Sequence, residues 1–134
     1  MRYLPRKLLS HVYWAFGDDP FADRDAFRDE LLAYQKAIAG ELTWDPDELV
    51  FGHPELEVGW EDYESDGELL QRWNVRTSDP RGFTRLELMF QVHNAVSTYF
   101  HGRDHHFFEG LSVATDDLRL RPDVTPTYWL GIGS

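Results

Sequence analysis

The chain has 134 residues, of which 42% are hydrophobic and 15% aromatic, and its formal net charge is −11. We expect one domain, residues 1–134, with a sizeable core, because this composition excludes a disordered chain. The charge disfavours nucleic acid as a partner, and the absence of cysteine excludes disulfides, thiolate catalysis and cysteine metal sites.

The N-terminal part of the chain predicts one strand and one helix. Aromatic and β-branched residues favour a strand at Ser10–Phe16. This segment is not expected to be a signal peptide, because its apolar run is interrupted and no small-residue cleavage site follows. Asp23 can cap a helix that runs to Ala39 and ends at Gly40. Its apolar face carries Phe27, Leu31, Tyr34 and Ile38.

The middle of the chain predicts a short strand at Leu49–Phe51 and then a β-hairpin. Residues 55–63 and 71–77 alternate in polarity, and Asp66-Gly67 between them suits a two-residue turn. We expect this turn to pair Trp60 with Trp73 and Val58 with Val75 on one face, and Glu61 with Arg72 and Glu57 with Arg76 on the other.

The stretch Thr84–Gly102 predicts the core helix. Thr84 and Glu87 form a capping-box pattern at its start. A narrow polar stripe runs down it through Glu87, Gln91, Asn94, Thr98 and His101. His93 falls on the apolar side, where a lone histidine is usually neutral and hydrogen-bonded.

Two strands are expected after the core helix, at Phe107–Val113 and Thr127–Ile132. The element order predicts an α+β fold: a mostly antiparallel sheet of about five or six strands with two helices packed on one face.

The first candidate site is a cluster of possible metal ligands that follows the core helix. It comprises His101, Asp104, His105, His106 and Glu109, and imidazole and carboxylate groups are the usual ligands of zinc and other transition metals. The spacing matches no metal motif, and no nucleophile motif accompanies the pair His106 and Glu109. We therefore expect a polar loop here, with no metal and no cofactor.

The second candidate site is acidic and aromatic. Between Glu41 and Gln71 there are 11 carboxylates and no Lys or Arg, with aromatic residues interleaved. Such a surface suits a basic protein partner, because charge speeds encounter and aromatic side chains anchor the contact. A solvated acidic face is the alternative. The predicted partner-binding residues are Trp44, Asp62, Tyr63, Glu64, Asp66 and Glu68.

The sequence favours a small bacterial cytoplasmic protein without catalytic activity. Our first hypothesis is an immunity-type protein that captures a basic toxin or nuclease. The second is a metal-dependent enzyme that uses His101, His105, His106 and Glu109. The third is a structural homodimer, completed through the core helix or the terminal strand. No nucleic acid and no membrane is expected as a partner, since no apolar run approaches the roughly 18 residues of a membrane span.

Overall fold

The computed structural model describes residues 3–17, 19–62, 69–100 and 107–133, and at 62, 69 and 70 it describes the backbone alone. In chain order the elements are β1 (Lys7–Leu8), α1 (Arg24–Ala39), β2 (Leu49–Phe51), β3 (Glu55–Asp62), β4 (Leu69–Arg76), β5 (Phe83–Thr84), α2 (Arg85–Phe100), β6 (Phe107–Val113) and β7 (Thr127–Gly133). They form an α+β fold, with a five-stranded sheet in the order β1-β6-β7-β3-β4 and a two-stranded sheet of β2 and β5.

The larger sheet is mixed. β7 lies between β6 and β3, antiparallel to β6 and parallel to β3. The pairs β1–β6 and β3–β4 are antiparallel. The prediction of a mostly antiparallel sheet with both helices on one face is therefore not confirmed. Tight turns predict antiparallel pairs, but β3 and β7 are distant in sequence, and no turn fixes their relative direction.

Residues 10–16 do not form the predicted strand. Leu9 adopts a left-handed conformation with φ of 60°, and Ala15 alone bridges to Phe107. The backbone N–H of Tyr13 donates to Oε1 of Gln35 at 2.8 Å, and the Gln35 amide donates back to the Tyr13 carbonyl. The buried Gln35 side chain of α1 therefore bonds the backbone groups of Tyr13 that a neighbouring strand would otherwise bond.

The prediction of α1 is confirmed at both ends. The Asp23 side chain accepts from the N–H of Asp25 at 2.9 Å, and Gly40 closes the helix with φ of 81°. The expected apolar face is only partly buried, because Ile38 is 57% exposed. Phe27 is fully buried, and its ring lies 5.6 Å from that of Phe90 in α2. The helix therefore packs against α2.

The core helix is confirmed as α2. Thr84 Oγ1 accepts from the N–H of Glu87 at 3.0 Å, as a capping residue does. Two residues of the polar stripe, Glu87 and Asn94, face the protein. The Glu87 carboxylate is buried and lies 2.7 Å from Nε of Arg24. The Asn94 amide bonds both the N–H and the carbonyl of Phe21 at 2.8 Å. The stripe thus attaches α1 and the segment before it to α2.

His93 is buried and hydrogen-bonded, as predicted. Its Nδ1 accepts from the indole N–H of Trp14 at 3.0 Å, and its Nε2 lies 3.0 Å from the carbonyl oxygen of Asp19. An indole only donates and a carbonyl only accepts, so these two partners select the neutral ring with its proton on Nε2.

The hairpin of β3 and β4 forms, but the predicted register was wrong by two residues. Trp60 lies opposite Gln71, and Val58 lies opposite Trp73, which is 56% exposed. A shift of two residues leaves every side chain on the same face, so the alternation of polarity could not distinguish the registers.

Candidate functional site

The corrected register decides which carboxylates of β3 are neutralised. Nη1 of Arg72 lies 3.2 Å from Glu57, and Nε of Arg76 lies 3.5 Å from Glu55. Glu61 is exposed and forms no ion pair within the described residues. The prediction had paired Glu61 and left Glu55 out. Within the described residues, the acidic charge of β3 is therefore compensated at Glu55 and Glu57 but not at Glu61.

The acidic segment before β2 is also more neutralised than the sequence suggested. Asp47 lies 2.9 Å from Nη1 of Arg28 in α1, and Glu48 lies 2.7 Å from Nη2 of Arg85 in α2. The hydrogen bond from Arg28 to Asp47 is the main cause that raises the pKa of Arg28.

Trp44 is half-buried and held from two sides. Its indole N–H donates to the carbonyl of His11 at 3.1 Å, and the Arg85 guanidinium lies 5.7 Å from the ring centroid. This side chain therefore connects the N-terminal segment to the start of α2.

The other predicted partner-binding residues lie at the end of β3 and beyond it. The backbone of Asp62 pairs with Leu69, the last pair of the described ladder. Tyr63, Glu64, Asp66 and Glu68 lie outside the described residues. Their assembly into one surface with Trp44 stays a prediction.

The candidate metal cluster falls mostly outside the described residues, since these do not include His101, His105 or His106. Glu109 is exposed on β6, and its carboxylate lies over Gly133 of β7. Within the described ranges, no three His, Asp or Glu side chains are grouped as metal ligands. The metal hypothesis stays a prediction.

The two surfaces proposed for a homodimer are used inside the chain. β7 is paired along both edges, with β6 and with β3. α2 buries ten residues, including His93 and Ser97. The pairing with β3 involves residues 127–129 of β7, and the homodimer hypothesis stays a prediction.

Sequence reasoning missed a cleft on the side of the sheet that Trp129 occupies. Residues 114–126, which we call the strap, connect β6 to β7, and the strap and the sheet line a cleft of about 480 Å³. Arg72 of β4 and the strap residues Arg119 and Arg121 contribute cations to it. The sequence feature that could have indicated this cleft is Arg119-Leu-Arg121, two arginines close together in a strongly acidic chain.

Comparison of the chain with protein-family models, with curated proteins and with solved structures found no match. Among the described residues, the helices are too short or too polar to cross a membrane.

Proposed function

We propose that this protein is a non-catalytic binding protein of the bacterial cytoplasm that captures a basic protein, as an immunity protein captures a toxin or nuclease. One observation carries the proposal. Along β3 the carboxylates Glu55 and Glu57 are paired with arginines, whereas Glu61 is not paired within the described residues. Negative charge therefore increases towards the end of the hairpin.

The sequence of the hairpin end supports the same location. From Glu61 to Gln71 there are five carboxylates and no Lys or Arg. Elsewhere the described ion pairs join eight arginines to seven carboxylates, so most of the chain's 13 basic residues are already engaged. A basic partner would supply the missing cations and would be steered by the negative field.

In this proposal Asp62, Glu64, Asp66 and Glu68 attract the partner, and Tyr63 and Trp44 provide aromatic contact. Charged side chains at the edge of an interface mainly accelerate association, and aromatic side chains mainly slow dissociation. Trp44 is restrained by its bond to the His11 carbonyl, so it would bind with little loss of side-chain freedom.

The test is retention of a basic protein from the native cell extract by the immobilised chain at low salt, followed by binding kinetics with the retained protein. We expect Asp62→Lys/Glu64→Lys to slow association about tenfold or more at low salt, and by less as salt screens the charges.

A matched variant separates a local surface from overall charge. Asp29→Lys/Glu30→Lys makes the same change in net charge on the exposed face of α1, where neither side chain has an ion-pair partner in the described residues. Equal slowing by both variants would reject the hairpin as the contact. Absence of any stoichiometric basic partner would reject the proposal.

A further inference from the structure

The cleft under the strap has an aromatic wall. Along β7, Tyr128 is fully buried in the core, and its neighbour Trp129 points to the opposite face of the sheet. Trp129 can lie across β3 because Gly59 has no side chain: a Cβ at Gly59 would lie 2.6 Å from Cζ3 of the indole. The Arg72 guanidinium lies 5.9 Å from the indole ring centroid. The sequence thus provides a wide apolar surface beside a cation.

The strap is held to the rest of the protein at its middle and near its end. At its middle the N–H of Leu4 donates to the Leu118 carbonyl, and Tyr3 forms a β-bridge with Arg119. At its end the hydroxyl of Thr125 donates to Glu55 at 3.3 Å. These contacts hold the strap against the sheet, which lowers the conformational cost of binding a ligand in the cleft.

Asp117 orients the two strap arginines. Its Oδ1 accepts from the backbone N–H and Nε of Arg119 at 3.2 and 3.0 Å. Its Oδ2 accepts from Nη2 of Arg119 and from Nη2 of Arg121, both at 2.9 Å. The bonds from Arg119 hold the pKa of Asp117 below its usual range, so the carboxylate stays charged.

The cleft retains positive charge and unused donors. Among the described residues, Arg72, Arg119 and Arg121 are paired with two carboxylates, Glu57 and Asp117. Within the described residues, Nη1 of Arg119 and both Nε and Nη1 of Arg121 make no hydrogen bond. Guanidinium donors of this kind suit carboxylate and phosphate groups.

We propose that this cleft binds a small organic anion, whose carboxylate or phosphate is held by Arg119 and Arg121 and whose apolar body lies against Trp129. The volume of about 480 Å³ falls in the range of small-molecule sites. Anion binding is notable here because the chain as a whole carries a formal charge of −11 and repels anions. A local excess of arginine overcomes that repulsion only at short range.

The test uses three probes with the same apolar body: 2-naphthoate, 2-naphthyl phosphate and the uncharged naphthalene-2-methanol. Binding is followed by nuclear magnetic resonance through the indole N–H of Trp129, identified by its loss in Trp129→Phe. We expect saturable binding of at least one anion, about tenfold or more tighter than the uncharged probe, since charge-assisted hydrogen bonds contribute to the anion alone. The two anions distinguish a carboxylate ligand from a phosphate ligand.

Substitutions locate the anion. Arg119→Gln/Arg121→Gln should weaken anion binding about tenfold or more and leave the uncharged probe unchanged. Arg28→Gln/Arg81→Gln is the matched control, because it also removes two arginines that each pair with a single carboxylate. Arg119→Lys/Arg121→Lys keeps the charge and should retain part of the affinity.

The outcomes that overturn the proposal are specific. One is no saturable shift of the Trp129 indole with either anion up to about 10 mM, a concentration that corresponds to negligible affinity. Another is equal affinity for the charged and uncharged probes. A third is equal weakening by the strap variant and its matched control, with both variants shown to be folded by their spectra.

Discussion

The two faces of the five-stranded sheet are stabilised by different interactions. On the covered face, Leu56 and Val58 of β3 and Tyr128 of β7 are fully buried. On the other face, which we call the open face, Glu57 and Gly59 of β3 lie beside Thr127 and Trp129 of β7. The same two strands therefore supply a hydrophobic core in one direction and a charged surface with one aromatic ring in the other.

The two faces differ in how strictly the identity of each residue is constrained. The core residues need to be apolar and of suitable volume, and hydrophobic contact has little directionality. The open face depends on individual partners, such as Thr127 Oγ1, which donates to Glu57 at 2.8 Å, and Gly59, which leaves space for one ring. We expect substitutions on the covered face to reduce stability most, and substitutions on the open face to act through one neighbour.

The largest expected effect is the loss of a core side chain. Leu56→Ala should lower the free energy of unfolding by about 2–5 kcal/mol, because it removes apolar contact and leaves a cavity among fully buried residues. Urea unfolding measures this loss. Leu49→Ala at an exposed position of β2 is the control and should change stability by less than about 1 kcal/mol. Equal losses would mean that the two positions are not differently buried.

Gly59→Ala tests the open face. The new Cβ would meet the Trp129 ring at 2.6 Å, so we expect a loss of about 1–3 kcal/mol, less than for Leu56→Ala. Gly17→Ala is the matched control, because its Cβ would have no neighbour within 4 Å among the described residues. Stability is again measured by urea unfolding.

A second substitution identifies the neighbour that causes the loss. If Trp129 alone obstructs the new methyl group, Gly59→Ala should cost little in the Trp129→Ala background, and the two changes will not be additive. Full additivity would contradict the proposed contact between residue 59 and the indole ring.

Local sequence signals predicted most elements of this fold. The cap at Asp23 and the glycine at Gly40 located α1, and the apolar run Phe107–Val113 located β6 at its observed bounds. These elements depend on backbone preferences within a few residues. The sequence also predicted that His93 would be buried, because helical periodicity placed it on an apolar side.

The failures involve partners that are distant in sequence. Residues 10–16 are no strand because Gln35, 22 positions after Tyr13, binds their backbone. The register of β3 on β4 could not be read from alternation, so the ion pairs of the hairpin were assigned to the wrong residues. The cleft was missed because it is lined by residues distant in sequence, Arg72 of β4 and Arg119 of the strap, and no local pattern indicates that they lie close together.

The smallest expected effect at neutral pH concerns Tyr128, the buried counterpart of Trp129 on β7. Its hydroxyl donates to the Pro5 carbonyl at 2.6 Å, and burial raises its pKa well above the ordinary value of 10.0. Tyr128→Phe removes this hydrogen bond and leaves the carbonyl without that donor. We expect a loss of about 1 kcal/mol at pH 7, measured by urea unfolding.

The effect of Tyr128→Phe becomes smaller as the pH rises. Above pH 10.0 the unfolded chain loses the Tyr128 proton, while the folded chain retains it, because the folded pKa is the higher one. This contribution to stability is therefore complete below pH 10.0 and is lost as the pH rises towards the folded pKa. The wild type should lose up to about 1.4 kcal/mol per pH unit more than Tyr128→Phe in this range, so the two stability curves converge. If Tyr128→Phe instead ran parallel to the wild type, the hydroxyl would not be buried on the covered face, and the contrast between the two faces of β7 would be wrong.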